Sequence, residues 1–541
     1  MTRVIVVVLA LTTATLAGPK IRTSEGRAAA TIAAKKHPLF KTSDDCLACH
    51  NGLTTPSGED VSIGSSWRAS MMANSSRDPY WQASVRRETI DHPSAAADIQ
   101  DECSICHMPM SRAEARANGR RGEVFAHLPI GRGARTEDLL AFDGVSCTAC
   151  HQIAADKLGT PGSFTGGFVI QPRTVFGPFP VDAGLKSVMH SSSEAEPAEG
   201  PHIRESALCG TCHTLITTAR GPETQAAGQV HEQVMYLEWR HSAFNAEQKS
   251  CQSCHMPPVQ DEMPISSVLG QPRKGLARHL FVGGNAFMLR LLNRFRDELG
   301  VAASREELDA SVARTVENLQ GSTATVAVDR VALSNGQLAV DVTVQNATGH
   351  KFPTGYPSRR AWLHVTVTDR AGRVVFESGA FARNGRIEGN DNDAAADRFE
   401  PHYTDIRRAD EVQIYESIMG DSAGKATTGL LTGVRYLKDN RLLPRGFDKG
   451  SADVPIAVSG DAMRDPDFTA GSDKVRYVVG VVQSDAPFHV TVELRFQAIG
   501  FRWAENLAAY DAPEPRRFVR YYEAMAASSS ELVSRASTDA Q

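Results

Sequence analysis

Five short stretches hold two thiols and an imidazole at one fixed spacing. They are Cys46-Leu-Ala-Cys49-His50, Cys103-Ser-Ile-Cys106-His107, Cys147-Thr-Ala-Cys150-His151, Cys209-Gly-Thr-Cys212-His213 and Cys251-Gln-Ser-Cys254-His255. The chain has 10 Cys, and the five pairs use them all. Cys-x-x-Cys-His is the attachment signature of c-type haem. The chemistry demands that spacing: two thiols add to the two vinyl groups of one haem, and the adjacent His is held against the iron. A structural zinc site would draw on Cys-x-x-Cys units converging in pairs on one ion, and five units do not pair off. Thioredoxin-type dithiols do not require the His. The chain has 17 His in 541 residues. The chance of an imidazole in all five places is then roughly one in thirty million. The expected cofactors are five covalently attached haem c groups.

At 541 residues the chain is expected to hold more than one domain. The net charge of -5 gives no reason to expect nucleic acid. Haem propionates would make the surface more acidic, so a redox partner with a basic face is expected. Residues 1–17 read as a cleavable signal peptide. Arg3 supplies the positive start, Val4 to Leu11 open an apolar run, and Thr15-Leu16-Ala17 offers small residues for cleavage. The apolar run breaks at Thr12-Thr13 and is too short to anchor in a membrane. No later segment is apolar enough to span one. The expectation is an exported, periplasmic chain.

The elements that must position the motifs divide the chain. Residues 18–320 are expected to form a pentahaem cytochrome domain, mostly helix and loop wrapped around the macrocycles. Gly166-Gly167 and Pro172 to Pro180 read as wrapping loops. Trp67-Arg-Ala-Ser70 and Trp239-Arg-His-Ser242 form a weak internal repeat between motifs. Phe287, Met288, Leu291, Leu292 and Phe295 fall at helical spacing, with Gly300 as a stop. Ser304-Arg-Glu-Glu307 is a capping box ahead of Leu308, Val312, Val316 and Leu319. Residues 321–500 are expected to form an antiparallel β-sandwich. Leu338, Val340, Val342 and Val344 alternate after the hairpin signal Asn335-Gly336. Leu363, Val365 and Val367 alternate and turn at Gly372, and Phe488, Val490, Val492, Leu494 and Phe496 alternate again. Lys438 to Phe447 reads as an ordered loop. Residues 501–541 are expected to form a terminal helix, over 513–535, and a polar tail.

Each iron needs a second axial ligand, for which His and then Met are the usual side chains. His279 precedes Gly283-Gly284, where the backbone can approach a macrocycle closely. His190 follows Phe176-Gly-Pro-Phe179, and His202 lies seven residues before Cys209. These three are the first candidates. His231, His127, His241 and His37 read as surface or hydrogen-bonding residues, and His92, before Pro93 in a polar loop, is given no role.

Residues 46 to 286 resemble the multihaem c-type cytochromes typified by the tetrahaem electron acceptor of hydroxylamine oxidoreductase. The shared pieces are the Cys-x-x-Cys-His units, the Trp-x-x-Ser segments, the Phe176-Gly-Pro…His190 stretch and His279-x-Phe-x-Gly-Gly-Asn285. The resemblance implies periplasmic electron transfer through closely packed haems, most of them bis-His. In the family pattern Trp-x-x-Ser-x-His-Ala supplies a distal ligand. Here that position is Met72, and in the second copy it is Phe244, which cannot ligate. Met72 is therefore a candidate ligand. Gly349-His350-Lys-Phe-Pro-Thr-Gly-Tyr-Pro357 resembles an element of larger multihaem cytochromes that carry an added sandwich domain. Its glycines and prolines make a stiff loop, and His350 is expected to reach from the sandwich to an iron that lacks a partner.

The expected function is an exported pentahaem cytochrome relaying electrons between a donor and an acceptor protein, one of which can belong to a membrane-associated complex. The alternative is an oxidoreductase acting on a small nitrogen or sulfur compound at one open-site haem. The first reading has no catalytic residue.

Overall fold

A computed structural model describes residues 38–541 apart from 132–134 and 222–225. The leader expected over residues 1–17, and His37, lie outside the described residues. Among the described residues, no helix is long and apolar enough to cross a membrane.

The part that carries the motifs is built from short helices and connecting turns. Four of the motifs lie on or at the end of a helix: Ala96–His107, Cys147–His151, Ser206–Gly210 and Cys251–His255. The first begins in the turn Asp44–Leu47. A helical turn sets residues i, i+3 and i+4 on one side, which is where two thiols and an imidazole must converge. The helix Pro79–Asp91 starts on the Asp78 side chain, which accepts from Tyr80 N and Trp81 N.

The two copies of Trp-Arg-x-Ser share local structure. Trp67-Arg68 closes the helix Ile63–Arg68, and Trp239-Arg240 closes Met235–Arg240. Each indole N–H donates to a backbone carbonyl, of Val145 at 2.9 Å and of Lys249 at 2.8 Å.

Helices Ala286–Arg294 and Arg305–Ser322 follow, as the periodicity indicates. Gly300, at φ 63°, ends the intervening turn, and Ser304 and Glu307 form the reciprocal capping box. Phe287, Met288, Leu291, Leu292 and Leu308 join an apolar core with Trp503, Phe518 and Tyr521.

Two sheets make up the second part. One has four strands, with Ala324–Ser334, Gln337–Asn346 and Ser472–Gly480 antiparallel and Asp405–Ile406 added in parallel. Ser334 faces Gln337 across a two-residue turn. Asn335 and Gly336 take φ of 51° and 73° there, the geometry such a turn requires. The other sheet has seven strands, all antiparallel, around Arg360–Thr368 and Phe488–Gln497. Val340, Val342, Val475 and Tyr477 of the first share one buried core with Val365, Val367, Val490 and Val492 of the second. The stretch Lys438 to Phe447 is ordered and mostly buried, as expected.

The C-terminus corrects the expectation of a long helix and a polar tail. The helix stops at Met525, and Ser530–Ala540 is a strand paired antiparallel with Phe488–Gln497. Its Ser- and Thr-rich sequence hides it: Val533 and Ala540 reach the core, but the residues between them are half-buried or exposed, and there the backbone ladder holds the strand. The helix Pro513–Met525 packs on Pro79–Asp91, with Tyr80 and Phe518 rings 5.0 Å apart and an Arg86–Glu514 ion pair at 2.8 Å.

Candidate metal centres

Four of the five motif imidazoles are fixed in one tautomer. Nδ1 of His50 donates to Ile265 O at 2.6 Å and that of His107 to Ser75 O at 3.0 Å. Nδ1 of His151 donates to Phe176 O at 2.6 Å and that of His255 to Val282 O at 2.5 Å. A carbonyl only accepts, so the proton is on Nδ1 and the lone pair on Nε2. An imidazole ready to bind a metal through Nε2 is held in this way. Burial pushes His107 and His213 down to about 4 and lowers His151, so these rings are neutral at pH 7. Trp81 stacks on His107 with centroids 4.3 Å apart. The ring of His213 has no hydrogen-bond partner among the described residues.

Two further imidazoles face motif imidazoles. The rings of His151 and His279 lie 6.3 Å apart at 20°. Those of His255 and His350 lie 6.3 Å apart at 13°. Imidazole nitrogens sit about 2.0 Å from a first-row metal, which puts two rings on opposite sides of one ion with centroids about 6 Å apart. The outer rings are fixed like the inner ones: His279 Nδ1 donates to Ala277 O at 2.9 Å and His350 Nδ1 to Lys351 O at 2.9 Å. Burial pushes His279 down to about 4 and lowers His350. Both pairs therefore fit a metal between two Nε2 atoms.

The second pair also accounts for Phe244. Its side chain cannot ligate, and it packs against Gly349. A Cβ on Gly349 would lie 3.1 Å from the Phe244 ring. The residue that cannot ligate thus supports the loop that brings His350 to His255.

Buried charge anchors that loop. Glu238, on the helix Met235–Arg240, accepts from Lys351 N at 3.1 Å and Thr354 Oγ1 at 2.6 Å. It pairs with Arg441 at 2.9 Å. Asp439 pairs with Lys351 and with Arg441, each at 2.8 Å. Two cations meet two anions out of water, the condition under which buried charge is tolerated.

The other candidate ligands differ among themselves. His190 Nδ1 pairs with Glu196 at 2.6 Å on an exposed helix, and a carboxylate behind an imidazole is a common support for metal binding through Nε2. His202 is corrected: its Nε2 donates to Ile153 O at 2.8 Å, so the nitrogen expected to ligate instead holds the backbone after the third motif. Met72 is half-buried, and its carbonyl accepts from Val145 N at 3.0 Å beside the third motif. His127, between Asp138 and Ser111, is a hydrogen-bonding residue, as expected.

Thiols of different motifs lie close enough to act on each other electrostatically. Cys46 meets Cys147, Cys106 meets Cys212, and Cys209 meets Cys251.

One other cluster has ligand-type atoms together. His402, Asp465 and Asp473 are buried, with one such atom each within 4.8 Å of the others. Its hydrogen bonds argue against a metal. His402 Nδ1 accepts from Gln413 Nε2 and Asn440 Nδ2, both at 3.0 Å. The amide oxygens of those residues accept from Tyr403 N and Glu416 N, which fixes their orientation. The proton is then on Nε2, which donates to Asp465 at 3.0 Å. Burial pushes Asp473 up to about 7. A carboxyl raised on folding binds a proton that the unfolded chain has already lost above about pH 4. Its stabilisation is full below that pH and is lost as pH rises toward 7, a change of roughly 4 kcal/mol. Asp473→Asn is expected to flatten this part of the stability profile in urea titrations between pH 4 and 8.

No family model matches the chain, and no curated protein matches it. Among solved structures it is similar to a penta-heme cytochrome c552 from Thermochromatium tepidum, at 14% identity and TM-score 0.49, covering 93% of this chain and 100% of that one.

Proposed function

We propose that the chain is an exported pentahaem c-type cytochrome that relays electrons between a donor and an acceptor protein. The observation that carries this reading is the pair of imidazole couples at 6.3 Å, each joining a Cys-x-x-Cys-His histidine to a second ring fixed with Nε2 free. Ten thiols attach five haems, and His50, His107, His151, His213 and His255 are the proximal ligands. His279 is the partner of His151, and His350 that of His255. His190 and Met72 serve two further irons. Haem supplies the one-electron chemistry when bound. The chain's part is to hold each imidazole neutral, to set its tautomer and to exclude water. The thiol contacts support an order in which the first motif's haem neighbours the third's, and the fourth's neighbours the second's and the fifth's. The common core of the two sheets supports the sandwich expected over 321–500 after the haem domain of 18–320, with the strand Ser530–Ala540 added to it from beyond that range. Met72→His is expected to lower one haem potential and keep that iron low-spin, because thioether ligation raises a potential relative to bis-His. A potentiometric titration checks it.

One observation favours the alternative of an oxidoreductase for a small nitrogen or sulfur compound. With His202 engaged at Ile153, one iron has no assigned distal side chain. Turnover measurements separate the readings. The relay predicts that the reduced protein is reoxidised by a c-type cytochrome and not by nitrite, hydroxylamine or sulfite. Multiple turnovers with any of those three assign the enzyme instead.

A further inference from the structure

Among the described residues, the fully buried Lys and Arg side chains are all paired. Arg360 meets Asp393 at 2.7 Å, Lys438 meets Glu416 at 3.1 Å, and Lys351 and Arg441 share Asp439. Arg77, in the motif-bearing part, spends its donors on the carbonyls of Gly300 and Phe142. Arg359 is different. It is half-buried, and desolvation pulls its guanidinium down to about 10 against the opposing pull of the Asp78 carboxylate. The one hydrogen bond of its guanidinium among the described residues is from Nη1 to Thr354 O, at 2.6 Å. It makes no ion pair among them.

Its position is built. Arg359 ends the loop that begins at Gly349 and carries His350, and its charge acts on both His213 and His350. Gly355, at φ +90°, lets the loop fold back against the guanidinium, and a Cβ there would lie 2.7 Å from Nη1. A half-buried cation without a close counter-ion is costly. A guanidinium presents a planar fork that matches a carboxylate; Asp78 acts on it at longer range, and no carboxylate among the described residues is in ion-pair contact with it.

We propose that Arg359 is the counter-ion of a haem propionate beside the fourth motif, and that it holds that haem's potential up. This rests on the haem reading above. A neighbouring cation disfavours the ferric, more positive state, so removing it lowers the potential. A small oxyanion from solution offers the same recognition chemistry, and the test separates the two sources.

The experiment is a spectroelectrochemical titration of the full, matured chain. Arg359→Gln is expected to shift the reduction equilibrium of one haem about tenfold toward the oxidised form, about 59 mV for one electron. Arg359→Lys keeps the charge and most of the potential, which guards against a misfolded glutamine variant. Nitrite and sulfite leave the wild-type Soret band unchanged. Five potentials unmoved in Arg359→Gln, with five haems still attached, overturn the proposal and leave the haem reading standing. A Soret shift with nitrite or sulfite that Arg359→Gln abolishes also overturns it, because the anion then comes from solution. Fewer than five haems in the wild type would count against the underlying reading instead.

Discussion

Replacing His350 by alanine turns one haem from low-spin to high-spin and frees the sheet region to proteases. The ring of His350 faces that of His255 at 6.3 Å, and its Nδ1 is held by Lys351 O. Alanine leaves the iron with His255 alone and keeps the backbone turn. A metal bond that exists only in the folded assembly adds to the stability of that assembly. The loop then rests on Glu238, the Lys351–Asp439 pair and the Gly349–Phe244 contact without the metal bond, so its protection weakens. Electron paramagnetic resonance of the oxidised protein reads the spin state, and limited proteolysis reads the protection. Five low-spin haems and an unchanged digestion pattern in His350→Ala would show that this ring is packing only.

Glu238→Ala is expected to cost about 3–5 kcal/mol, the usual loss when one partner of a buried ion pair is removed. The side chain is 0% exposed. Its loss leaves Lys351 N and Thr354 Oγ1 without their acceptor and gives the cluster a net positive charge. Glu238→Gln retains an acceptor oxygen and is expected to lose less. Urea denaturation of the matured protein measures both, and equal stability of wild type and Glu238→Ala would rule out the anchor. The same variant is expected to raise the high-spin fraction, because the loop it clamps carries His350.

What the sequence disclosed was local. The Cys-x-x-Cys-His spacing, the Ser304–Glu307 capping box, the Asn335-Gly336 turn and the alternation in Phe488–Gln497 are each set within a few residues, and each has its expected form. What it concealed depends on residues far apart. Nothing near Glu238 marks it as the clamp of a loop more than a hundred residues on. The strand Ser530–Ala540 shows little alternation because, between Val533 and Ala540, neither of its sides is fully buried. His202 and His279 look alike as residues, and the difference is which ring nitrogen meets a carbonyl. The His350 loop was legible as a stiff turn from its prolines and glycines, but its choice of His255 comes from the packing of Phe244 on Gly349. Arg359 carried no signal at all, since an arginine without a carboxylate is seen only once the neighbours are known.

The central claim is that all ten thiols are consumed in attaching five haems, and the mass of the intact, matured chain under denaturing conditions tests it most directly. The account predicts the mature polypeptide plus five haems, with no cysteine open to alkylation. A mass short of five haems in fully matured protein, or any alkylated cysteine, would contradict it.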